Sequence, residues 1–272
     1  MRRLGPYGAA VVPSFADLVA GSTEVRRRAL EPLRSSISAA CAEYDATSPD
    51  VHGIRPIKLT EAERTALIGG YDNRTVAIKR LLAEMVASLS PADADLCPYC
   101  SLDTNPDLDH FLPKSVFPEF SLHARNLIPI CTPCNRKKQN AFKANGGRIF
   151  LHPSAEPSGN AKVIEAVLTF KASAVKVNYQ IDDGGKLSSA ELERVKQHYV
   201  RLGLSARYSR RAHSHLASMK ASVIGKDRSV VFRILQEKIN TASVGEPING
   251  WRPALYRAIA NAKITTLTWL LQ

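Results

Sequence analysis

Two pairs of cysteines, Cys97-Pro98-Tyr99-Cys100 and Cys131-Thr132-Pro133-Cys134, constrain this chain more than any other feature. Each Cys-x-x-Cys turn presents two thiolates from one tight bend, and 30 residues separate the pairs. That spacing is the pattern of a tetrahedral four-sulfur zinc site. All four corners are filled by protein, so no position is left open for water and the metal is expected to be structural. Sites of this kind contribute about 10–16 kcal/mol of apparent binding free energy in small zinc domains, enough to fix a loop-rich segment. The expected ligands are Cys97, Cys100, Cys131 and Cys134. Cys41 stands alone in a helical pattern and reads as a small buried hydrophobe.

Charge is the second constraint. The chain has 272 residues, room for one large domain or two modest ones, and a net charge of +12. Such an excess points to an anionic partner, of which nucleic acid is the commonest. From Lys186 onward, 15 Lys and Arg stand against five Asp and Glu, densest at Arg207-Tyr208-Ser209-Arg210-Arg211 with His213 and His215 following. That tract is either a phosphate-backbone contact or a solvated helix face; sequence leaves the two open. No apolar run approaches the ~20 residues of a membrane span. Met1-Arg2-Arg3 and Ala9-Ala10-Val11-Val12 have a faint likeness to a secretory leader, which Pro13 and Asp17 cut short. The expected location is the cytoplasm, where thiols stay reduced and clustered cysteines serve metals.

Three regions follow from periodicity. Residues 1–90 read as a helical N-terminal region, with Ile78, Leu81, Leu82, Met85 and Val86 at helical spacing. Within it, Thr60-Glu61-Ala62-Glu63 matches a capping box, and a second helix start is expected near Asp72-Asn73. Residues 91–152 hold the cysteine cassette. Residues 153–272 form a hairpin followed by helices. Period-two alternation at Val167, Thr169 and Lys171, then Val175, Val177 and Tyr179, marks the hairpin; Ser188 or Ser189 opens the next helix. Trp251 and Trp269 are expected to anchor the C-terminal helices. The fold class is α+β and mainly helical.

The cassette carries more than zinc requires. Leu108-Asp109-His110-Phe111-Leu112-Pro113 sets an acid and an imidazole on adjacent residues, which an extended segment turns to opposite faces. A neutral imidazole can take a proton from water near pH 7, and a carboxylate is a hard oxygen ligand suited to Mg²⁺. Asn126-Leu127-Ile128-Pro129-Ile130 leads into the second cysteine pair, and Pro133 suits an early helical position. A basic helix then runs through Asn135-Arg136-Lys137-Lys138 to Lys143, ending near Gly146-Gly147.

Between residues 97 and 143, under a fifth of the chain, this arrangement resembles the HNH endonuclease family. The likeness rests on Cys-x-x-Cys, Asp-His-x-x-Pro-x-Ser, Asn-Leu-x-Pro-x-Cys-x-x-Cys-Asn and a following Lys, in that order. It implies a ββα-metal core pinned by zinc. His110 would then be the general base that activates water. Asp109 and Asn135 would ligate a catalytic Mg²⁺ or Mn²⁺, with Asp107 the alternative acid. Asn126 would brace the strand and orient the His. Lys114, Arg136, Lys137 and Lys138 would contact the substrate. The expected substrate is DNA, although nothing in the cassette tells DNA from RNA. Two departures stand out: Ser101 where the family often has Gly, and Val116-Phe117-Pro118-Glu119-Phe120 where it often has a Gly-rich turn. Family members with large extra regions are often effectors of bacterial restriction or anti-phage defence, sometimes with an ATPase or sensor partner.

The competing reading is a zinc-stabilised nucleic-acid-binding or protein-interaction module without chemistry. His123 and His152 are expected to be surface or structural residues.

Overall fold

The computed structural model describes residues 4–272 apart from 6, 8–13, 74, 105–106, 145–146, 154–160 and 172–173. The leader-like stretches at 1–3 and 9–13 and Gly146 lie outside the described residues. The described chain is α+β and mainly helical. It forms two compact units, one drawn from 4–99 and 103–153, the other from 100–102 and 161–272.

The first unit begins with five helices: α1 (Phe15–Ala20), α2 (Glu24–Leu30), α3 (Arg34–Thr47), α4 (Glu61–Asp72) and α5 (Val76–Ala87). The Thr60–Glu63 capping box starts α4 as its sequence requires. The helix start expected near Asp72-Asn73 falls instead at Val76. Asn73 N–H still donates to Gly69 and closes α4, and Thr75 is the residue whose hydroxyl caps α5. Gly70 on α4 lies against the Leu18 side chain of α1, where a Cβ would collide. These helices share one core with the cassette. Leu30, Ile37, Leu67, Ile78 and Met85 pack in the same cluster as Leu122, Ala124 and Leu127. Each such side chain contributes about 1.5–3 kcal/mol on burial.

After the short helix α6 (Pro91–Asp95), the cassette forms β1 (Asp107–His110), β2 (Leu127–Ile130) and α7 (Thr132–Lys138). The strands are antiparallel, with Asp109 opposite Ile128 and His110 opposite Leu127. Pro133 sits in the first turn of α7, where its missing N–H is not needed. The helix ends at Lys138, short of the expected Lys143. Gln139 takes a φ of 48°, and Lys143–Ala144 pair as β3 with β4 (Gly147–Arg148). The break has a cause: Lys138 is drawn fully inward, and Phe142 packs edge-on against Phe117 at 5.3 Å.

The second unit holds a regular hairpin, β5 (Ile164–Lys171) and β6 (Ala174–Ile181), paired from Ile164–Ile181 to Lys171–Ala174. On β6 the buried residues are Val177 and Tyr179, as the alternation predicts; on β5 they are Ile164 and Ala166, the set alternating with Val167. Gly184 and Gly185, at φ 57° and 73°, turn the chain toward α8 (Ser189–Arg201), capped by Ser188 and Glu191. α9 (Leu204–Ser222) packs on β6 and α11 (Trp251–Asn261) on β5, with α10 (Arg228–Thr241) and α12 (Lys263–Leu270) completing the unit. Trp269 is buried beside Phe170, whereas Trp251 is half-buried at the start of α11. Among the described residues no helix is long and apolar enough to cross a membrane.

Candidate functional site

The four cysteines of the two pairs converge. Their Sγ atoms all lie within 4.8 Å of one another and all four residues are buried. Sulfurs about 2.3 Å from a shared tetrahedral zinc lie ~3.8 Å apart, inside that limit, so the donor set could hold a structural metal such as zinc. The surroundings suit thiolates. Arg207 sets a guanidinium nitrogen 3.5 Å from Cys100 Sγ, and the Tyr208 hydroxyl donates to the Cys100 carbonyl at 2.8 Å. Cationic donors to a metal thiolate offset its charge and fix its orientation.

His110 ends β1 with its ring 5% exposed, edge-on to Tyr71 at 4.4 Å. Its Nε2 lies 2.9 Å from the Ser121 carbonyl oxygen. A carbonyl can only accept, so Nε2 carries the proton and Nδ1 keeps its lone pair. Nδ1 makes no hydrogen bond among the described residues. Burial brings the pKa down to about 4, reinforced by Lys114 and Lys138 and opposed by the Ser121 hydrogen bond and Asp72. The ring is therefore neutral at pH 7.

Asn126 is fully buried and clamps the loop that follows His110. Its side-chain oxygen accepts from Leu112 N–H at 2.7 Å, and its amide donates to Leu112 O at 3.0 Å and Phe120 O at 3.2 Å. Tyr44 from α3 brings its hydroxyl to 3.3 Å from the same oxygen. The Ser121 carbonyl that orients His110 lies beside this clamp, so Asn126 sets the imidazole indirectly.

Asp109 Oδ2 is buried and lies 2.8 Å from Lys138 Nζ, close enough for an ion pair but misaligned for a hydrogen bond. Lys138 Nζ donates instead to the His110 carbonyl at 2.7 Å. Lys138 is thus 0% exposed and committed to the strand, and cannot meet a phosphate from there. Arg136 and Lys137 are exposed on α7. Lys114 is partly buried, pairs with Asp72 and sits 4.9 Å over the Tyr71 ring, near His110. Asn135 meets Asp107 at 3.4 Å, so Asp107, Asp109 and Asn135 belong to the β1–α7 side of the strand while His110 faces Tyr71 and Ser121. The three bring hard oxygen donors to this side of the strand, of the kind a divalent cation takes, although Asp109 Oδ2 already has the Lys138 ammonium as its ion-pair partner.

His152 is buried against Phe111 and Tyr44, and His123 pairs with Asp45, both structural as read. Within the densest basic stretch, 207–211, Arg207 and Tyr208 are buried and Arg210 and Arg211 present exposed cations. Tyr71, Asp72 and Ser121 were not read as site residues from the sequence. Tyr71 carries a helical core signal indistinguishable from its neighbours, and Ser121 acts through its backbone.

No protein-family model matches the chain, and no solved structure does. The chain is similar to protein ea31 of Escherichia phage lambda, at 26% identity over 198 residues. That alignment covers 63% of this chain and 64% of the phage protein, so the chain spans less than two thirds of that relative's length.

Proposed function

We propose that this protein is a metal-dependent endonuclease of HNH type that hydrolyses phosphodiester bonds in DNA. The observation that carries the reading is His110: a neutral imidazole whose Nε2–H is tied to the Ser121 carbonyl, leaving Nδ1 free to accept a proton from water. The order of two short antiparallel strands and a helix, pinned by four cysteines, supports it. Asp109 and Asn135, with Asp107 beside them, would hold Mg²⁺ or Mn²⁺. When bound, the cation would supply positive charge to the scissile phosphate and the leaving oxygen. Arg136, Lys137 and Lys114 would hold the phosphate backbone. Asn126 would keep the loop, and through it the imidazole, in place. An effector role in restriction or anti-phage defence, with a partner restraining the activity, belongs to the same proposal.

A second reading, a zinc-stabilised module that binds without cutting, is favoured by one contact. The Lys138 ammonium already neutralises Asp109 and competes with a cation there.

Supercoiled plasmid with zinc-loaded protein and Mg²⁺ or Mn²⁺ separates the two. The nuclease reading expects nicking that falls by about 10²–10⁴ in His110→Ala, with folding and DNA affinity kept. Plasmid retarded in a gel yet never nicked, with either metal, supports the binding module instead.

A further inference from the structure

The first unit has an open cleft of about 840 Å³ beside the cassette, which none of the roles above uses. Its floor is apolar. Ile54 and Phe117 are buried there, and Val116 and the half-buried Phe142 present further apolar surface. Its rim is cationic. Arg55 and Lys143 are both exposed, and among the described residues no carboxylate lines the cleft. Among the described residues neither cation has a salt-bridge partner, and the Lys143 ammonium sits 5.3 Å over the Phe142 ring. An apolar shelf flanked by unpaired cations is complementary to a planar base carried on a phosphate chain.

One turn of the chain links the cleft to the candidate site. Val116 and Phe117 close a turn onto the Pro113 carbonyl, each at 2.9 Å. The same turn carries Lys114, which lies over Tyr71, the ring that flanks His110. One end of the turn therefore borders the imidazole and the other borders the cleft. A strand held near His110 has a path along this turn.

We propose that this cleft docks single-stranded nucleic acid flanking the cleaved bond, a base resting on Phe142 and Val116 and phosphates meeting Arg55 and Lys143. The placement rests on the nuclease reading, but the test reads binding and not cutting. An acidic polypeptide would satisfy the rim, but it carries a planar ring only at its aromatic residues, whereas every nucleotide pairs a base with a phosphate.

The measurement is fluorescence anisotropy of a labelled single-stranded oligonucleotide with the zinc-loaded, full-length His110→Ala protein. Adding Arg55→Glu and Lys143→Glu together should weaken binding about 10–100-fold and flatten the salt slope by about 1.4, two phosphates at ~0.7 each. Phe142→Ala should weaken it on the order of 5–100-fold, the range for a lost base stack. Lys79→Glu with Arg80→Glu makes the same charge change on α5 and is the control. Binding by the Arg55/Lys143 variant as tight as by this control overturns the proposal. So does no oligonucleotide binding at all, or a variant that loses polyglutamate binding while keeping the oligonucleotide. If the His110-intact protein never cuts plasmid but oligonucleotide binding still depends on Arg55, Lys143 and Phe142, the nuclease reading fails and the cleft stands.

Discussion

In the C-terminal region, β5 and β6 pair over eight residues each, their buried faces made of Ile164, Ala166, Val177 and Tyr179. In the cassette, β1 and β2 pair over four residues each, and the groups buried around them include His110, Glu119, Asn126, Lys138 and His152. The hairpin follows the rule that makes a strand from alternation, and the turn that leaves it uses glycine at positive φ. The cassette breaks such rules, sequestering polar groups that cost free energy unless each finds a partner. Breaches of local rules concentrate where side chains must be held for a purpose. A cassette that buries so many polar groups gains from an added source of stability, and the four-cysteine cluster, which could hold a structural metal such as zinc, is placed to supply it.

The largest test of the contrast is metal removal. Stripping zinc with a strong chelator should cost the cassette on the order of 10 kcal/mol or more. Hydrogen exchange should then show protection lost over 97–138 and largely kept over 164–181. Equal loss in both segments would mean that the two regions do not differ in what stabilises them.

Each region also buries one stapling asparagine, which allows a like-for-like comparison. Asn126 makes three hydrogen bonds to the backbone around the His110 loop, and Asn249 accepts from Val163 N–H at 2.8 Å and donates to Ala161 O at 2.9 Å. Replacing either with Ala orphans buried backbone groups and should destabilise by about 2–4 kcal/mol, measured by urea denaturation. Only Asn126→Ala should also lower the plasmid-nicking rate at a temperature where both variants are folded. If Asn249→Ala lowers it equally, Asn126 is merely structural.

Much of this was legible from the chain. The convergence of the four cysteines follows from spacing, the Thr60 and Ser188 caps from their Glu partners three residues on, and the hairpin from its alternation. The end of α7 was not legible, because helix propensity through Gln139–Lys143 lost to the inward pull of Lys138 and the packing of Phe142 on Phe117. The fate of Lys138 was hidden for the same reason: a basic residue beside two others reads as surface. Tyr71 and the Ser121 carbonyl come to His110 only through tertiary packing of α4 and the 118–121 turn, which no local pattern encodes.

Acid should act more strongly on the cassette. Burial, with Arg148 and Arg125 adding to it, pushes the His152 pKa down to about 3, against about 6.5 in an unfolded chain. The unfolded state then binds the proton first. The stabilising contribution is complete above about pH 6.5 and is lost as pH falls toward 3, at about 1.4 kcal/mol per pH unit. Urea midpoints between pH 7 and pH 5 should therefore fall less steeply in His152→Phe than in the unchanged protein. Parallel lines would show that His152 is not held neutral.

The smallest effect concerns one backbone angle and sharpens the contrast most directly. Gly184 and Gly185 occupy positive φ in the C-terminal turn, where glycine has no Cβ to strain. After the first cysteine pair, Ser101 holds φ 52° with a Cβ, and its buried hydroxyl has no hydrogen bond. A left-handed non-glycine residue costs about 1–2 kcal/mol, part of which glycine returns through its greater freedom when unfolded. Ser101→Gly should consequently stabilise the zinc-loaded protein by on the order of 1 kcal/mol, seen as a raised urea midpoint with unchanged slope. Gly185→Ala should do the reverse by a similar amount. A Ser101→Gly variant no more stable than its parent would mean that this turn carries no strain and that the cassette departs from local rules only through its buried polar groups.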